Sequence, residues 1–264
     1  MKFFDKKSFF KTLFRSLLVA YVFFLVLGYF FADLLLFPAP KSSYKNDESI
    51  LSLRVKEQSI SYRIFTVEEP KYTVLYSHGN AEDIGELDYW AKKMSEELQV
   101  NLYIYDYPGY GTSEGKPSVE SVTESAEAMY AMLKAKGLKS KEIIPWGRSI
   151  GGGPTMALAQ QDIFAGVILE STFVSACRVV TRARILPFEY FDNKKAVAAA
   201  DEPMMFIHGE KDELIASWHG KALYDTAKVP KAYYWVEKAG HNDVEMYGGE
   251  FLWLRLREFL KSLD

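Results

Sequence analysis

The sequence predicts an α/β domain, a mostly parallel eight-stranded sheet with helices on both faces, set behind an N-terminal helix that is not part of it. Three observations carry that expectation. Short apolar runs alternate with helix-length segments from residue 50 onward, the pattern of βαβ units. The 264 residues are 48% hydrophobic and 25% charged, values of a packed domain that exclude disorder, collagen and coiled coil. The first forty residues hold a long charge-free apolar run.

That run is Ser16 to Ala32, with Leu34 to Phe37 extending it past Asp33. As a helix, its 17 to 22 residues span about 25–33 Å, one hydrocarbon core. It has no polar face, so a core helix of the soluble body is disfavoured. A cleaved signal peptide is the rival, but the run is long for one and no small-x-small cleavage site follows it. The expected organisation is a basic leader at 1–15, a transmembrane signal anchor at 16–37, a linker at 38–49 and a catalytic domain at 50–264. Lys2, Lys6, Lys7, Lys11 and Arg15 precede the span and place the N-terminus in the cytoplasm, with the body on the far side. Against Asp5 and Asp33 they make the first forty residues +3, which leaves −6 on the rest of a chain whose total is −3. Asn46, Asn80, Asn101, Asn193 and Asn242 all fail the Asn-x-Ser/Thr pattern, which favours a bacterial inner membrane facing the periplasm over a secretory lumen. Phe37-Pro38-Ala39-Pro40 ends the helix.

In the body, Ile50–Val55 and Ser59–Val67 read as an antiparallel start. Tyr72–Ser77, Leu102–Asp106, Ile143–Trp146, Val167–Glu170, Met204–His208 and Tyr233–Val236 read as buried parallel strands. Helices are expected at Ile84–Leu98, Ser118–Lys136, Ile150–Gln160, Ala216–Ala227 and Glu250–Leu263, the last from Phe251, Leu254, Phe259 and Leu263 at helical spacing. In such sheets chemistry sits beyond the carboxyl ends of the strands.

There, Gly147-Arg148-Ser149-Ile150-Gly151 lies between a strand and a helix, a Gly-x-Ser-x-Gly turn that exposes a serine hydroxyl. A serine nucleophile needs a base, and the base an orienting carboxylate. His241 follows the last strand and has the order and the location of the base. His208 ends a strand and reads as structural; His219 falls inside a helix and reads as a surface or packing residue. Asp212, just past the Met204–His208 strand, is the acid, with Glu210 a poor second choice. Oxyanion donors are expected at the backbone N–H groups of Ile150 and Asn80, with Ala81 a near alternative. His78 reads as a brace for that loop.

These residues resemble the α/β-hydrolase superfamily, and more closely its Bem46-like group with the domain-containing 17 and 13 relatives. The matching segments are His78-Gly79-Asn80-Ala81-Glu82-Asp83, Asp106-Tyr107-Pro108-Gly109-Tyr110-Gly111-Thr112-Ser113-Glu114-Gly115 and Gly147-Arg148-Ser149-Ile150-Gly151-Gly152. Glu170-Ser171-Thr172-Phe173, Phe191-Asp192-Asn193, His208-Gly209-Glu210-Lys211-Asp212 and Gly240-His241-Asn242 follow in order. The resemblance implies ester or thioester hydrolysis through an acyl-enzyme. Some relatives remove palmitate from cysteines behind a cysteine-rich N-terminus. This chain has one cysteine, Cys177, which reads as a packing residue, and an apolar span in place of that tether, so the resemblance does not by itself imply depalmitoylation.

Between Ser171 and Ala200 a short lid insertion is expected, with Phe173, Leu186 and Phe188 as candidate acyl-pocket residues beside Arg178, Arg182 and Arg184. No cofactor and no metal are expected, and with pI ≈ 5.9 there is no basic footprint for nucleic acid. The expected partners are a small-molecule or lipid-like acyl substrate and a membrane. The expectation is a membrane-anchored serine hydrolase; a peptidase using the same triad, or a silent anchored binding module, remain the alternatives.

Overall fold

The structure is a computed structural model that describes residues 6–263; Met1–Asp5 of the expected leader and Asp264 lie outside the described residues. Contacts divide the chain after Leu36. The N-terminal unit is a 25-residue helix α1, Lys6–Phe30, and a short helix α2, Ala32–Leu36. The helix begins ten residues before the expected start of the span, because Lys6 to Arg15 contain no proline or glycine to stop it. At 1.5 Å per residue it is about 37 Å long, and none of its residues is buried. It is long and apolar enough to cross a membrane, a test that a signal sequence also passes.

The body, from Phe37 onward, has the eight expected strands: β1 Leu51–Val55, β2 Gln58–Phe65, β3 Thr73–Ser77, β4 Asn101–Tyr105, β5 Ile143–Arg148, β6 Val167–Glu170, β7 Met204–Gly209 and β8 Lys231–Val236. They form one sheet in the order β1-β2-β4-β3-β5-β6-β7-β8. The β1–β2 and β2–β4 pairs are antiparallel and the other five parallel. The helices are α3 Ile84–Leu98, α4 Val119–Ala135, α5 Gly152–Leu158, α6 Ala176–Thr181, α7 Asn193–Ala198, α8 Trp218–Thr226 and α9 Val244–Lys261. They cover both faces. Met205 and Ile207 of β7 join the cluster of Met94, Trp253 and Leu256 from α3 and α9, while Met204 and Phe206 join Met156, Val197 and Leu223 from α5, α7 and α8. Period-two alternation thus divides each central strand between two cores.

Local signals set the helix ends. Asp83 caps α3, its carboxylate accepting from the Glu86 N–H at 3.1 Å. Ser118 and Ser121 form a reciprocal capping box on α4, which ends before Gly137 at φ +94°. Such caps are worth about 1 kcal/mol each. The last helix starts at Val244, six residues before the expected Glu250. Gly249 sits at φ 48°, ψ −139°, so Val244–Gly248 is a separate turn whose buried Val244 anchors it; the periodicity across the break is lost.

Residues 38–49 contain no helix or strand, but they are packed onto the body. Ser43 N–H and Oγ donate to the Asp83 carboxylate, and the Tyr44 hydroxyl donates to Asp106. Phe37 is buried edge-on to Phe191, 6.4 Å between centroids.

Candidate active site

Parallel register brings the strand ends to one edge: Ser77 pairs with Gly147, Arg148 with Glu170, and Glu170 with Ile207. At the end of β5 the chain reverses into α5 through Ser149, whose φ of +53° is a left-handed conformation costing about 1–3 kcal/mol in a non-glycine residue. The flanking glycines make this turn possible. A Cβ on Gly147 would come within 2.4 Å of the Gly151 carbonyl oxygen, and one on Gly151 within 2.0 Å of the Ser77 carbonyl oxygen. Thr172 braces the elbow from the end of β6, its hydroxyl donating to the Ser149 carbonyl at 2.6 Å.

Ser149 Oγ lies 3.0 Å from Nε2 of His241, and Nδ1 of His241 lies 2.7 Å from Oδ2 of Asp212. The Nδ1 proton therefore points at the carboxylate, leaving the Nε2 lone pair to accept from the serine hydroxyl. Asp212 accepts two backbone N–H groups on its other oxygen, from Leu214 at 3.0 Å and Ile215 at 2.7 Å. Burial pushes its carboxyl up, but hydrogen bonds from His208 and His241 outweigh this and hold it well below the usual carboxylate range. It is a fixed anion beside the imidazole.

The other candidates separate cleanly. His208 is fully buried, with Nε2 2.7 Å from the Ile215 carbonyl and 3.2 Å from Asp212 Oδ2. It braces the turn that carries Asp212. His219 is 2% exposed, stacks on Trp218 and accepts the Val174 N–H at 3.2 Å; burial, then the neighbouring His208, lowers it to about 4. It is a packing residue and not a surface one. Glu210 pairs with Lys221 at 3.1 Å on the surface.

In the β3–α3 loop, the Ala81 N–H is engaged at 3.0 Å by the Asn80 side-chain oxygen, which also accepts from the Tyr110 hydroxyl at 2.6 Å. Tyr107 donates to the His78 carbonyl at 2.6 Å. His78 itself is buried, with Nδ1 2.7 Å from the Gly79 carbonyl oxygen. Two tyrosines and a histidine thus brace the loop carrying Asn80.

Residues 54–171 match the family model described as Chlamydia CHLPS protein (DUF818). Over 195 residues the chain is 38% identical to human alpha/beta hydrolase domain-containing protein 17B, covering 73% of this chain and 67% of that one. The chain belongs to the α/β-hydrolase family. The Xenopus tropicalis domain-containing protein 17C is also 38% identical, over 72% of this chain and 62% of its own length. The match thus spans about two thirds of these relatives. The solved Pyrococcus furiosus esterase Pf2001 aligns with TM-score 0.69 at 19% identity, over 86% of this chain and 99% of that one. Paleococcus ferrophilus monoacylglycerol lipase aligns with TM-score 0.62 at 20%, over 78% and 99%. The fold is the α/β-hydrolase fold.

A cavity of about 370 Å³ adjoins the site, lined among others by His241, Asn80, Tyr76, Trp90, Arg148 and Glu170. Phe173, Leu186 and Phe188 do not line it. Phe173 is 3% exposed, and Phe188 is half-buried against Tyr190, 5.4 Å between centroids. The insertion between Ser171 and Ala200 contains α6, α7 and the loops before and between them. It is tied together by Glu189, which receives the Ser175 hydroxyl and pairs with Arg178 at 3.0 Å. The sequence reading passed over Glu189, and over the ion pairs that Arg148 makes with Glu82 and Glu170. Their signal was opposite charge at the ends of three neighbouring strands.

Proposed function

We propose that the chain is a membrane-anchored serine hydrolase that cleaves carboxylic ester or thioester bonds through an acyl-enzyme. The observation that carries this is the hydrogen-bond chain from Ser149 through His241 to Asp212, at 3.0 and 2.7 Å. Ser149 Oγ attacks the acyl carbonyl as His241 Nε2 takes its proton, and Asp212 steadies the imidazolium. Backbone N–H groups of Asn80 and Ile150 hold the oxyanion, with Ala81 the near alternative. His241 returns the proton to the departing alcohol or thiol. Water, deprotonated by His241, then attacks the acyl-serine, and the acid leaves with Ser149 restored. The substrate is a small-molecule or lipid-like acyl compound, in keeping with an esterase and a lipase among the similar structures. The N-terminal helix holds the enzyme in the membrane.

A fluorophosphonate probe tests the nucleophile. Wild type is expected to be labelled and Ser149→Ala unlabelled, with turnover of p-nitrophenyl esters falling by about 10⁴-fold or more in the variant. Equal labelling of both proteins rejects the assignment. Chain length is then read from a series of such esters.

A further inference from the structure

We infer that Arg148, the residue before the nucleophile, is a positioning residue that locks the two reactive loops onto the elbow. This rests on the reading of Ser149 and His241 as nucleophile and base. The Arg148 guanidinium reaches four groups on three separate segments. Nη1 pairs with Glu82 in the β3–α3 loop, and Nε lies 3.8 Å from Glu170 at the end of β6. Nη2 donates to the His241 carbonyl at 3.2 Å and to Asn242 Oδ1 at 2.8 Å. Both carboxylates and the guanidinium are nearly buried, their side chains 10–14% exposed. The space for this crossing is specified: a Cβ on Gly79 would lie 2.0 Å from Glu82 Oε1 and 2.9 Å from Arg148 Nη1.

The consequence is geometric. The loop bearing Glu82 also bears Asn80, and the loop bearing Asn242 also bears His241. Each must sit within about half an ångström of its working position relative to Ser149. One side chain, adjacent in sequence to Ser149, ties both to it. The arrangement needs a planar fork with several donors, which lysine lacks.

Arg148→Ala and Arg148→Lys test it, with p-nitrophenyl ester kinetics and fluorophosphonate labelling read together. A misplaced base or oxyanion donor costs about 10²-fold. Arg148→Ala is therefore expected to lose about that factor in kcat and in labelling rate, with KM moving less than threefold, and Arg148→Lys to recover little. Methylguanidine is small enough for the adjoining cavity of about 370 Å³ and should restore turnover of Arg148→Ala at least tenfold, while doing nothing for Ser149→Ala. If Arg148→Ala does not fold, leaving two buried carboxylates unpaired, Glu82→Gln keeps the shape and must show the same split between kcat and KM. A kcat within threefold of wild type, a loss confined to KM, or no rescue by methylguanidine overturns the proposal. Labelling of Ser149→Ala would instead reject the nucleophile, so the two failures are told apart.

Discussion

At the scale of single residues, the proposed acid, Asp212, is heavily supported. Asp212 takes two backbone N–H groups and His241 Nδ1, with His208 Nε2, shared with the Ile215 carbonyl, 3.2 Å away. Only one of those histidines faces Ser149. Replacing His241 is expected to abolish turnover. His219→Gln is expected to keep kcat within about threefold and to cost stability, since its contacts are Trp218 and Val174. A thermal melt beside an esterase assay checks both; activity in the His241 variant would reject the base. His208→Leu lies between these cases. It removes one donor to a carboxylate, worth about 1.5–3 kcal/mol, so Asp212 rises from its lowered state and kcat is expected to drop about tenfold with KM held. An unchanged kcat would show that donor to be idle. That Ser149, Asp212 and His241 come together was legible in sequence, because order and strand ends single them out. The support from His208 was not, since Ile215 and Asp212 are brought to it only by the turn after β7.

At the scale of elements, the segment 38–49 behaves as a strap. Ser43 binds the cap of α3, while Tyr44 inserts its hydroxyl onto Asp106, which also receives the Ile84 N–H at 3.0 Å. Composition marked these residues as a polar linker, and nothing local announces a partner 62 positions away. The same limit explains α9: its periodicity was visible, its first turn hidden behind Gly249. Strands, by contrast, were legible because burial on both faces leaves continuous apolar runs. The strap has an energetic signature. Burial raises the Asp106 carboxyl to about 7 from 3.8, against the hydrogen bonds from Tyr44 and Ile84. His78 Nε2, buried without a hydrogen-bond partner, lies 3.5 Å from Asp106 Oδ1, so a proton on Asp106 has an acceptor waiting. A carboxyl raised in the folded state contributes stability fully below about pH 4, and loses it as pH climbs toward 7, on the order of 4 kcal/mol over the window. His219, lowered from 6.5 to about 4, slopes the other way, gaining stability from pH 4 to 6.5. The comparison must therefore be with Asp106→Asn. Urea midpoints at pH 5 and 7.5 should show wild type losing stability relative to that variant as pH rises; parallel curves would reject a protonated Asp106. Tyr44→Phe should lower the unfolding free energy at pH 5 by about 0.5–1.5 kcal/mol.

For the molecule as a whole, the proposed membrane anchoring carries an orientation that can be tested. Lys6, Lys7, Lys11 and Arg15 precede the apolar stretch, and basic residues are retained on the cytoplasmic side during insertion. If α1 spans the bilayer uncleaved, the body must then emerge on the opposite side. The chain's one cysteine makes this measurable. Cys177 is partly buried, and burial pushes its thiol up, so it reacts slowly and is replaced by serine to leave a blank background. Tyr89, on α3 and 79% exposed, is the place for a probe thiol, since it does not line the cavity beside His241. In intact bacterial cells or spheroplasts, Tyr89→Cys in the Cys177→Ser chain should react with a membrane-impermeant maleimide without lysis. The same cells must also yield the full-length mass, because a shortened product would mean that the N-terminal segment is removed. Labelling only after lysis would put the body in the cytoplasm and reverse the orientation, leaving the Ser149 chemistry untouched but confining its substrates to the inner leaflet and the cell interior.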